Sequence, residues 1–313
     1  MSNGILIHRK EIALLCNRLV IELAIEIKKI IKKVDVIIDH RHKKIDKYLD
    51  KKMILNEKKI LKNFLKNGYF KFQLDKKLFQ ENLKLIKNFF LNELKIANIN
   101  LEDCHKFTDS RKVNGLRLKI FNRINQSKKI KKNIFLSAEK YINFAVGSEI
   151  CSSDANLSIQ LPEDKHSLLQ MHTDFFSGES QFQANLWFPM MNVSKTQSMF
   201  IINPKNSISI LKEIKSNLKT DFDKLDKKYK KQCNWIKVKK GEAIIFSPNC
   251  LHGNVVNNEN KTRVSINIRY KNLFSPFSEA KNEKFLGTFY NVESMKAVTK
   301  FNLQYEFNKI IKQ

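Results

Sequence analysis

Two histidines and one aspartate have the types and spacing to bind a single metal ion. His172 and Asp174 are one residue apart in QMHTDFF (170–176), and His252 lies in GEAIIFSPNCLHGN (241–254). Side chains at i and i+2 of a β-strand point to the same face. If His172 and Asp174 lie on a strand, both can reach one ion, and His252 can complete the set from a distant strand. Two imidazoles and one carboxylate leave coordination positions open, as in non-haem Fe(II) oxygenases.

Cys250 precedes His252 by two residues and offers a conceivable fourth ligand. It would point to the same face only if the strand extends that far. A buried, unreactive thiol is the favoured interpretation, because free cysteine usually behaves as a small hydrophobic residue.

The stretch TRVSINIRY (262–270) alternates polar and apolar residues, which predicts a β-strand. Its polar face carries Arg263, Ser265, Asn267 and Arg269. Such a face lines a polar pocket inside a barrel wall, or it faces solvent, and two arginines suit both interpretations. Either arginine could bind a carboxylate ligand, because a guanidinium pairs with a carboxylate through two parallel hydrogen bonds.

The order of these motifs resembles the Fe(II)/2-oxoglutarate-dependent dioxygenases of the phytanoyl-CoA hydroxylase-like superfamily. More narrowly, the sequence is similar to the bacterial oxygenases found in sporadic carbohydrate gene clusters. The matching segments are residues 67–73, 171–204, 241–277 and 284–301. The most specific match is HGN at 252–254 followed by TR-x-S-x-N-x-R-x-K.

The resemblance implies a role for each motif residue. His172, Asp174 and His252 would bind Fe(II), Arg263 would bind the distal carboxylate of 2-oxoglutarate, and Ser265 would add a hydrogen bond to that carboxylate. Arg269 is the alternative carboxylate clamp. The implied cofactors are Fe(II), 2-oxoglutarate as cosubstrate, and O2.

Several further side chains are candidates for ligand contacts. Gln160, in the strand pattern NLSIQ, could reach the inner carboxylate of 2-oxoglutarate or simply lie on an edge strand. Gln183, Asn185 and Trp187 alternate along one strand pattern and, with Arg269, are candidate substrate contacts. For Trp187, packing in the core is the alternative. The resemblance implies a sugar-like small-molecule substrate, hydroxylated with release of succinate and CO2.

Helix patterns dominate the first half of the chain and strand patterns the second. Residues 76–96 and 100–147 have helical periodicity, and all five prolines lie at 162 or later. The resemblance implies an α+β fold in which a double-stranded β-helix (a jelly-roll, cupin-like barrel) carries flanking helices. Residues 207–235 are expected to form a helix and a charged loop that covers the pocket.

Residues 1–58 predict a helical N-terminal extension, followed by a catalytic domain over residues 59–313. Charged residues recur at helical spacing from Glu11 to Lys33 and leave a broad apolar surface. That surface predicts packing on the catalytic domain or on a second subunit, with binding along a membrane surface as an alternative. No uninterrupted apolar stretch of about 18 residues occurs, so no transmembrane segment is predicted.

The formal net charge is +27, from 58 Lys and Arg against 31 Asp and Glu. Such a charge attracts nucleic acid, anionic lipid or a phosphorylated substrate. The lysines are scattered, however, which favours compositional drift with solvated side chains, and no nucleic-acid partner is predicted. A nucleic-acid-directed oxygenase, a basic nucleic-acid-binding protein and a non-catalytic metal- or sugar-binding barrel are the alternatives.

The cysteine content and the N-terminal sequence bear on localisation. The five cysteines show no paired spacing, as in proteins of a reducing compartment. The first residues lack the apolar core of a signal peptide. Both features predict a cytoplasmic protein.

Overall fold

The structure is a computed structural model that describes residues 55–216, 228–277 and 284–305. By its contacts the chain separates into two compact units, residues 1–59 and 60–313. The predicted helical extension over residues 1–58 lies outside the described residues, except for residues 55–58. Its expected role in self-association therefore stays a prediction.

The described residues form helices and antiparallel strands. The helices are α1 (Leu55–Asn67), α2 (Lys76–Leu94), α3 (Val113–Gln126), α4 (Lys128–Val146), α5 (Pro204–Ser216) and α6 (Ala297–Gln304). The strands are β1 (Tyr69–Gln73), β2 (Ile150–Ser152), β3 (Asn156–Gln160), β4 (Gln183–Pro189), β5 (Phe200–Ile201), β6 (Asn234–Trp235), β7 (Glu242–Phe246), β8 (His252–Gly253), β9 (Arg263–Asn272) and β10 (Asn291–Ser294). The predicted α+β class is confirmed as a mixture of helices and antiparallel sheet.

Local sequence signals explain where the long helices begin and end. The Asp75 carboxylate accepts a hydrogen bond from the Leu78 N–H at 2.9 Å and caps the start of α2. The Ser127 hydroxyl caps α4 in the same way through the Ile130 N–H. Helix α4 stops at Gly147, whose φ of 88° favours glycine.

Helices α2, α3 and α4 bury apolar residues at three- and four-residue spacing, which is the core-facing pattern of an amphipathic helix. The buried apolar side chains include Phe79, Ile86, Phe90, Leu116, Ile120, Ile124, Ile130, Ile134 and Ile142. Burying each isoleucine contributes about 1.5–3 kcal/mol. These helices contact one another, and α4 also contacts β4, β7 and β9, so the helical layer supports the strands that carry the polar residues.

The strands form a seven-stranded antiparallel sheet and a smaller three-stranded one. The large sheet has the order β1-β7-β4-β9-β2-β10. Strand β3 also belongs to it and pairs with residues 263–267 of β9. The small sheet has the order β6-β5-β8. Strand β9 is central, since β4 pairs with it over residues 183–189 and β3 over residues 156–160. The polar face of β9 is buried at Arg263 and Ser265, which contradicts the solvent-facing interpretation there.

Within the described residues, none of the helices combines the length and the apolar character that a membrane crossing requires. Of the described cysteines, Cys104, Cys151 and Cys250 are free thiols.

Candidate metal centre

Backbone pairing brings the two histidines together. The His172 N–H donates to the His252 carbonyl at 3.0 Å, and the His252 N–H donates back at 2.9 Å. The ring centroids consequently lie 4.3 Å apart. Gly253 permits this pairing, because a Cβ there would lie 2.7 Å from the Leu169 carbonyl oxygen.

The expectation that His172 and Asp174 share a β-strand is wrong. His172 forms only an isolated bridge, and Asp174 begins a 3₁₀ helix that ends at Ser177. The chain turns because the Asp174 N–H donates to the Pro248 carbonyl at 3.1 Å instead of continuing the ladder. Thr173 is still extended, so the two side chains reach the same point.

The three side chains present one ligand atom each to a common position. The His172 Nε2 lies 3.5 Å from Asp174 Oδ1, and the His252 Nε2 lies 3.7 Å from the same oxygen. All ligand atoms of the set lie within 4.8 Å of one another. Among the described residues this is the one such group of three or more His, Cys, Asp or Glu side chains.

Hydrogen bonds orient both imidazoles for metal binding. The His172 Nδ1 lies 2.8 Å from the Gln170 carbonyl, and the His252 Nδ1 lies 2.9 Å from the Cys250 carbonyl. A carbonyl can only accept, so each Nδ1 carries the proton and donates it. Each Nε2 is then left with a lone pair directed toward Asp174, as a metal ligand requires.

The pKa shifts differ among the three side chains. Burial opposes ionisation of Asp174, but its contact with His172 and the nearby positive charge hold its pKa well below its usual range. Burial lowers the pKa of His252 to about 4, so this imidazole is neutral at pH 7. Burial also favours neutral His172, but its contacts with Asp174 and the Gln170 carbonyl outweigh this effect and raise its pKa.

A polar network surrounds the carboxylate ligand. Asn185 Nδ2 donates to Asp174 Oδ2, while Arg269 Nη2 lies 3.6 Å from Asp174 Oδ1. Arg269 also donates through Nε to the buried Glu179 carboxylate, which Lys284 approaches to 2.8 Å. Gln183 donates to Glu179 at 2.6 Å. Asn185, Gln183 and Arg269 are thus engaged with protein groups, and their predicted contacts with substrate are untested.

Arg263 occupies the same face of β9 as Arg269, but its surroundings differ. It is buried, and its guanidinium makes two long contacts of 3.3 Å, to the Gln197 carbonyl and the Ser158 hydroxyl. Its Nε has no partner, and within the described part of the chain no carboxylate lies within ion-pair distance. Burial lowers its pKa to about 10, so it remains charged at pH 7.

Other polar atoms near Arg263 also lack partners. Ser265 Oγ, Gln160 Oε1 and Asn267 Oδ1 are buried without a hydrogen bond, although the Gln160 amide donates to the Val255 carbonyl at 2.6 Å. Gln160 pairs with Arg263 in the ladder, and the other two residues follow Arg263 along the same face. Because buried polar groups are normally paired, these atoms mark a site for a polar ligand.

Two predicted residues lie in the apolar core. Trp187 packs within it, 5% exposed, which agrees with the core alternative; its predicted contact with substrate is untested. Cys250 is buried, and burial raises its pKa to about 11. A protonated thiol is a poor metal ligand, and Cys250 stands outside the ligand group.

Sequence reasoning missed several contributors. Glu179 was not singled out because an isolated glutamate before a strand has no distinguishing pattern. Lys284 and Tyr290 come from the segment that resembled relatives, but no role followed from that resemblance.

Asn254 was visible in the HGN motif. Its side chain accepts from the Leu169 N–H at 2.6 Å and donates to the Ser167 carbonyl. It thereby anchors the loop that precedes His172.

The chain is similar in fold to a solved structure. EctD from S. alaskensis, with 2-oxoglutarate and 5-hydroxyectoine, aligns over 79% of this chain and 86% of its own, with 12% identity and a TM-score of 0.52. This likeness shows a shared fold.

Two other solved structures align less well. The non-haem monooxygenase ThoJ in a nickel complex covers 80% of this chain and 95% of its own, with 12% identity and a TM-score of 0.47. HygX from Streptomyces hygroscopicus, with nickel and 2-oxoglutarate bound, covers 71% and 89%, with 9% identity and a TM-score of 0.44. No protein-family model matches the sequence, and a search of curated proteins returned no match.

Proposed function

We propose that this protein is an Fe(II)- and 2-oxoglutarate-dependent oxygenase. The observation that carries the proposal is the presence of two features in one fold. His172, Asp174 and His252 present a metal-ligand set, and β9 presents a buried arginine without a counter-charge. Arg263 lies on the same face of β9 as Arg269, which contacts Asp174, and we propose that this face connects the two features. We further propose that the two sheets form a double-stranded β-helix, which the likeness to EctD supports.

The ligand set fits ferrous iron. Two neutral imidazole nitrogens and one carboxylate oxygen suit Fe(II) and leave positions for other ligands. Asp174 supplies the carboxylate that a halide would replace in a halogenating enzyme, so its presence supports hydroxylation.

The Arg263 region fits a dicarboxylic keto acid. A buried cation without a counter-ion is costly, and an incoming carboxylate would compensate its charge through paired hydrogen bonds. Ser265 Oγ is unpartnered on the same face, and the Ser265 hydroxyl can donate to the same carboxylate. The distal carboxylate of 2-oxoglutarate would therefore lie at Arg263, with the keto acid end directed to the metal.

The residues of this chain would bind and orient. When bound together, Fe(II), 2-oxoglutarate and O2 supply the oxidation of an unactivated C–H bond with release of succinate and CO2. The backbone carbonyls of Gln170 and Cys250 hold the imidazoles in one tautomer, and burial of His252 and Asp174 excludes water from that side. Arg263 would bind and orient the cosubstrate, and such positioning lowers the entropic cost of reaction.

For the substrate, we propose a sugar-like small molecule, as the resemblance to carbohydrate-cluster oxygenases implies. The net positive charge of the chain would suit a phosphate-bearing sugar. A purified panel of nucleotide sugars and free sugars, scored by mass increase after incubation with Fe(II), 2-oxoglutarate and O2, tests this class. Turnover of none of them, beside turnover of a hydrophobic substrate, would contradict it.

Succinate release tests the activity itself. The purified chain, supplied with Fe(II), 2-oxoglutarate and O2, is expected to produce succinate, and His172→Ala is expected to abolish this release while the melting temperature stays near that of the wild type. A non-catalytic metal- or sugar-binding protein would bind Fe(II) without producing succinate. Unchanged release by His172→Ala would show that the ligand assignment is wrong.

A further inference from the structure

A chain of hydrogen bonds runs from the C-terminal segment to the metal-binding carboxylate. The Tyr290 hydroxyl donates to Gln183 Oε1, and Gln183 Nε2 donates to Asn185 Oδ1 at 3.1 Å. Asn185 Nδ2 in turn donates to Asp174 Oδ2. Tyr290, Gln183 and Asn185 are each at most 5% exposed, so water does not compete for these bonds.

The direction of every bond in this chain is determined. The Glu179 carboxylate can only accept, so Gln183 must present its NH2 group to it, at 2.6 Å. The Gln183 oxygen is then left for the Tyr290 hydroxyl, and the second hydrogen of the NH2 group meets the Asn185 oxygen. Asn185 is thereby obliged to direct its own NH2 group at Asp174.

This arrangement separates the two oxygens of Asp174. Oδ2 is occupied by Asn185, whereas Oδ1 faces the imidazole nitrogens of His172 and His252 at 3.5 and 3.7 Å. Arg269 Nη2 also lies 3.6 Å from Oδ1. Rotation of the carboxylate would move Oδ1 away from the imidazole nitrogens. The bond from Asn185 opposes that rotation.

We propose that Asn185 is a positioning residue that holds Asp174 as a one-oxygen metal ligand, and that Glu179, Gln183 and Tyr290 set the orientation of its amide. The proposal rests on the metal site of the proposed function. It gives Gln183 and Asn185 a role distinct from the substrate contact predicted from the sequence. It also makes the segment that carries Tyr290 part of the metal centre.

The expected loss of metal affinity is taken from other metal sites, where removing a group that orients a ligand weakens metal affinity about 10- to 100-fold. Asn185→Ala removes the donor to Asp174 and is expected to have an effect of that size. Gln183→Leu leaves the donor but frees its orientation, and Tyr290→Phe removes only the outermost bond. We expect effects that decrease in this order, with Tyr290→Phe within about threefold of the wild type.

The experiment is isothermal titration of the metal-free full-length chain with Ni(II), which probes binding without turnover. Asn133→Ala is the matched control, because Asn133 on α4 is also buried but bonds to Glu81 and Asn82 on α2. That variant is expected to lower the melting temperature and leave the Ni(II) affinity unchanged. A positioning role is supported if the three variants weaken Ni(II) binding in the stated order.

Two results separate this inference from the proposed function. If Ni(II) binds the wild type but not His172→Ala, and Asn185→Ala binds as tightly as the wild type, the positioning role is wrong and the metal site stands. If the wild type does not bind Ni(II), the proposed function fails with it. If Asn185→Ala does not fold, Asn185→Ser and Gln183→Leu are compared instead. Weakened Ni(II) affinity in Asn185→Ser with wild-type affinity in Gln183→Leu would show that Gln183 does not orient the Asn185 amide.

Discussion

Arg263 and Arg269 share one strand and one face, yet their environments are opposite. Arg269 lies between the Asp174 and Glu179 carboxylates, whereas Arg263 is buried with two long contacts to neutral oxygens and an unpartnered Nε. Removing one member of a buried set of paired charges destabilises the fold, because its partner is left uncompensated. A buried charge without a partner is kept at a cost, and such a cost indicates a ligand. The two residues therefore have different functions although their types and strand positions are alike.

The largest contrast is expected in cosubstrate affinity. Arg263→Met should weaken 2-oxoglutarate binding by about 2–5 kcal/mol, or roughly 30- to 4,000-fold, because one partner of a buried charge pair is removed. The measurement is a 2-oxoglutarate titration of the metal-loaded protein. Arg269→Met, if it folds, should change this affinity much less. Equal losses in the two variants would remove the distinction between the arginines.

The free energy of unfolding should fall more in Arg269→Met than in Arg263→Met, the reverse of the order expected for 2-oxoglutarate affinity. Arg269→Met leaves the buried Glu179 with Lys284 as its remaining ion-pair partner and should lower the free energy of unfolding by roughly 3 kcal/mol. Arg263→Met removes an uncompensated cation and should leave stability equal or higher by about 1 kcal/mol. Urea denaturation of the metal-free proteins measures both values. A marked loss of stability in Arg263→Met would mean that Arg263 has an internal structural role.

The pH dependence of metal binding sharpens the comparison, because Arg269 contacts a metal ligand and Arg263 does not. His252, with its pKa lowered to about 4, is already neutral above pH 5. His172 has a raised pKa, so it must lose a proton before it can bind the metal. Metal affinity should therefore rise about tenfold per pH unit below the pKa of His172 and level off above it.

Calorimetric titrations with Ni(II) between pH 5.5 and 8.5, values chosen as about one to two units around an ordinary histidine pKa, measure this slope. Arg263→Met should give the same profile as the wild type. A rise in Ni(II) affinity of about a hundredfold per pH unit over this range would mean that two protons are released on binding. Both imidazoles would then be protonated in the metal-free protein, contrary to the burial of His252.

The smallest effect is expected from Arg263→Lys. Lysine keeps the positive charge but replaces the planar fork with a single ammonium group, so 2-oxoglutarate affinity should fall only about five- to tenfold. Comparison with Arg263→Met in the same titration separates charge from geometry. If lysine were as damaging as methionine, the fork rather than the charge would carry the binding.

The main strands could be predicted from the sequence because each depends on local pattern. The polar–apolar alternation of 262–270 predicted β9, and NLSIQ predicted β3, with its observed ends at Asn156 and Gln160. The caps at Asp75, Ser127 and Gly147 likewise act within a few residues of chain. The arrangement of His172, Asp174 and His252 followed from residue type and motif order, and the structure brings all three together.

What could not be predicted depends on contacts between distant segments. Asp174 leaves the strand because it bonds to Pro248, and no local pattern near residue 174 announces this. Likewise Glu179, Lys284 and Tyr290 meet beside the metal only because the C-terminal segment returns to β4 and β9. The alternation pattern placed Arg263 and Arg269 on one face but could not show which of them finds a carboxylate.

The most direct test of the account is an anaerobic titration of the Fe(II)-loaded protein with 2-oxoglutarate, followed by the visible charge-transfer absorption that appears when a keto acid chelates ferrous iron. The account predicts a saturable band in the wild type and no band in His172→Ala or Asp174→Ala. It also predicts a band in Arg263→Met only at roughly 30-fold or higher concentrations of 2-oxoglutarate. A wild type without the band, or a band that survives Asp174→Ala unchanged, would contradict the assignment of the metal centre.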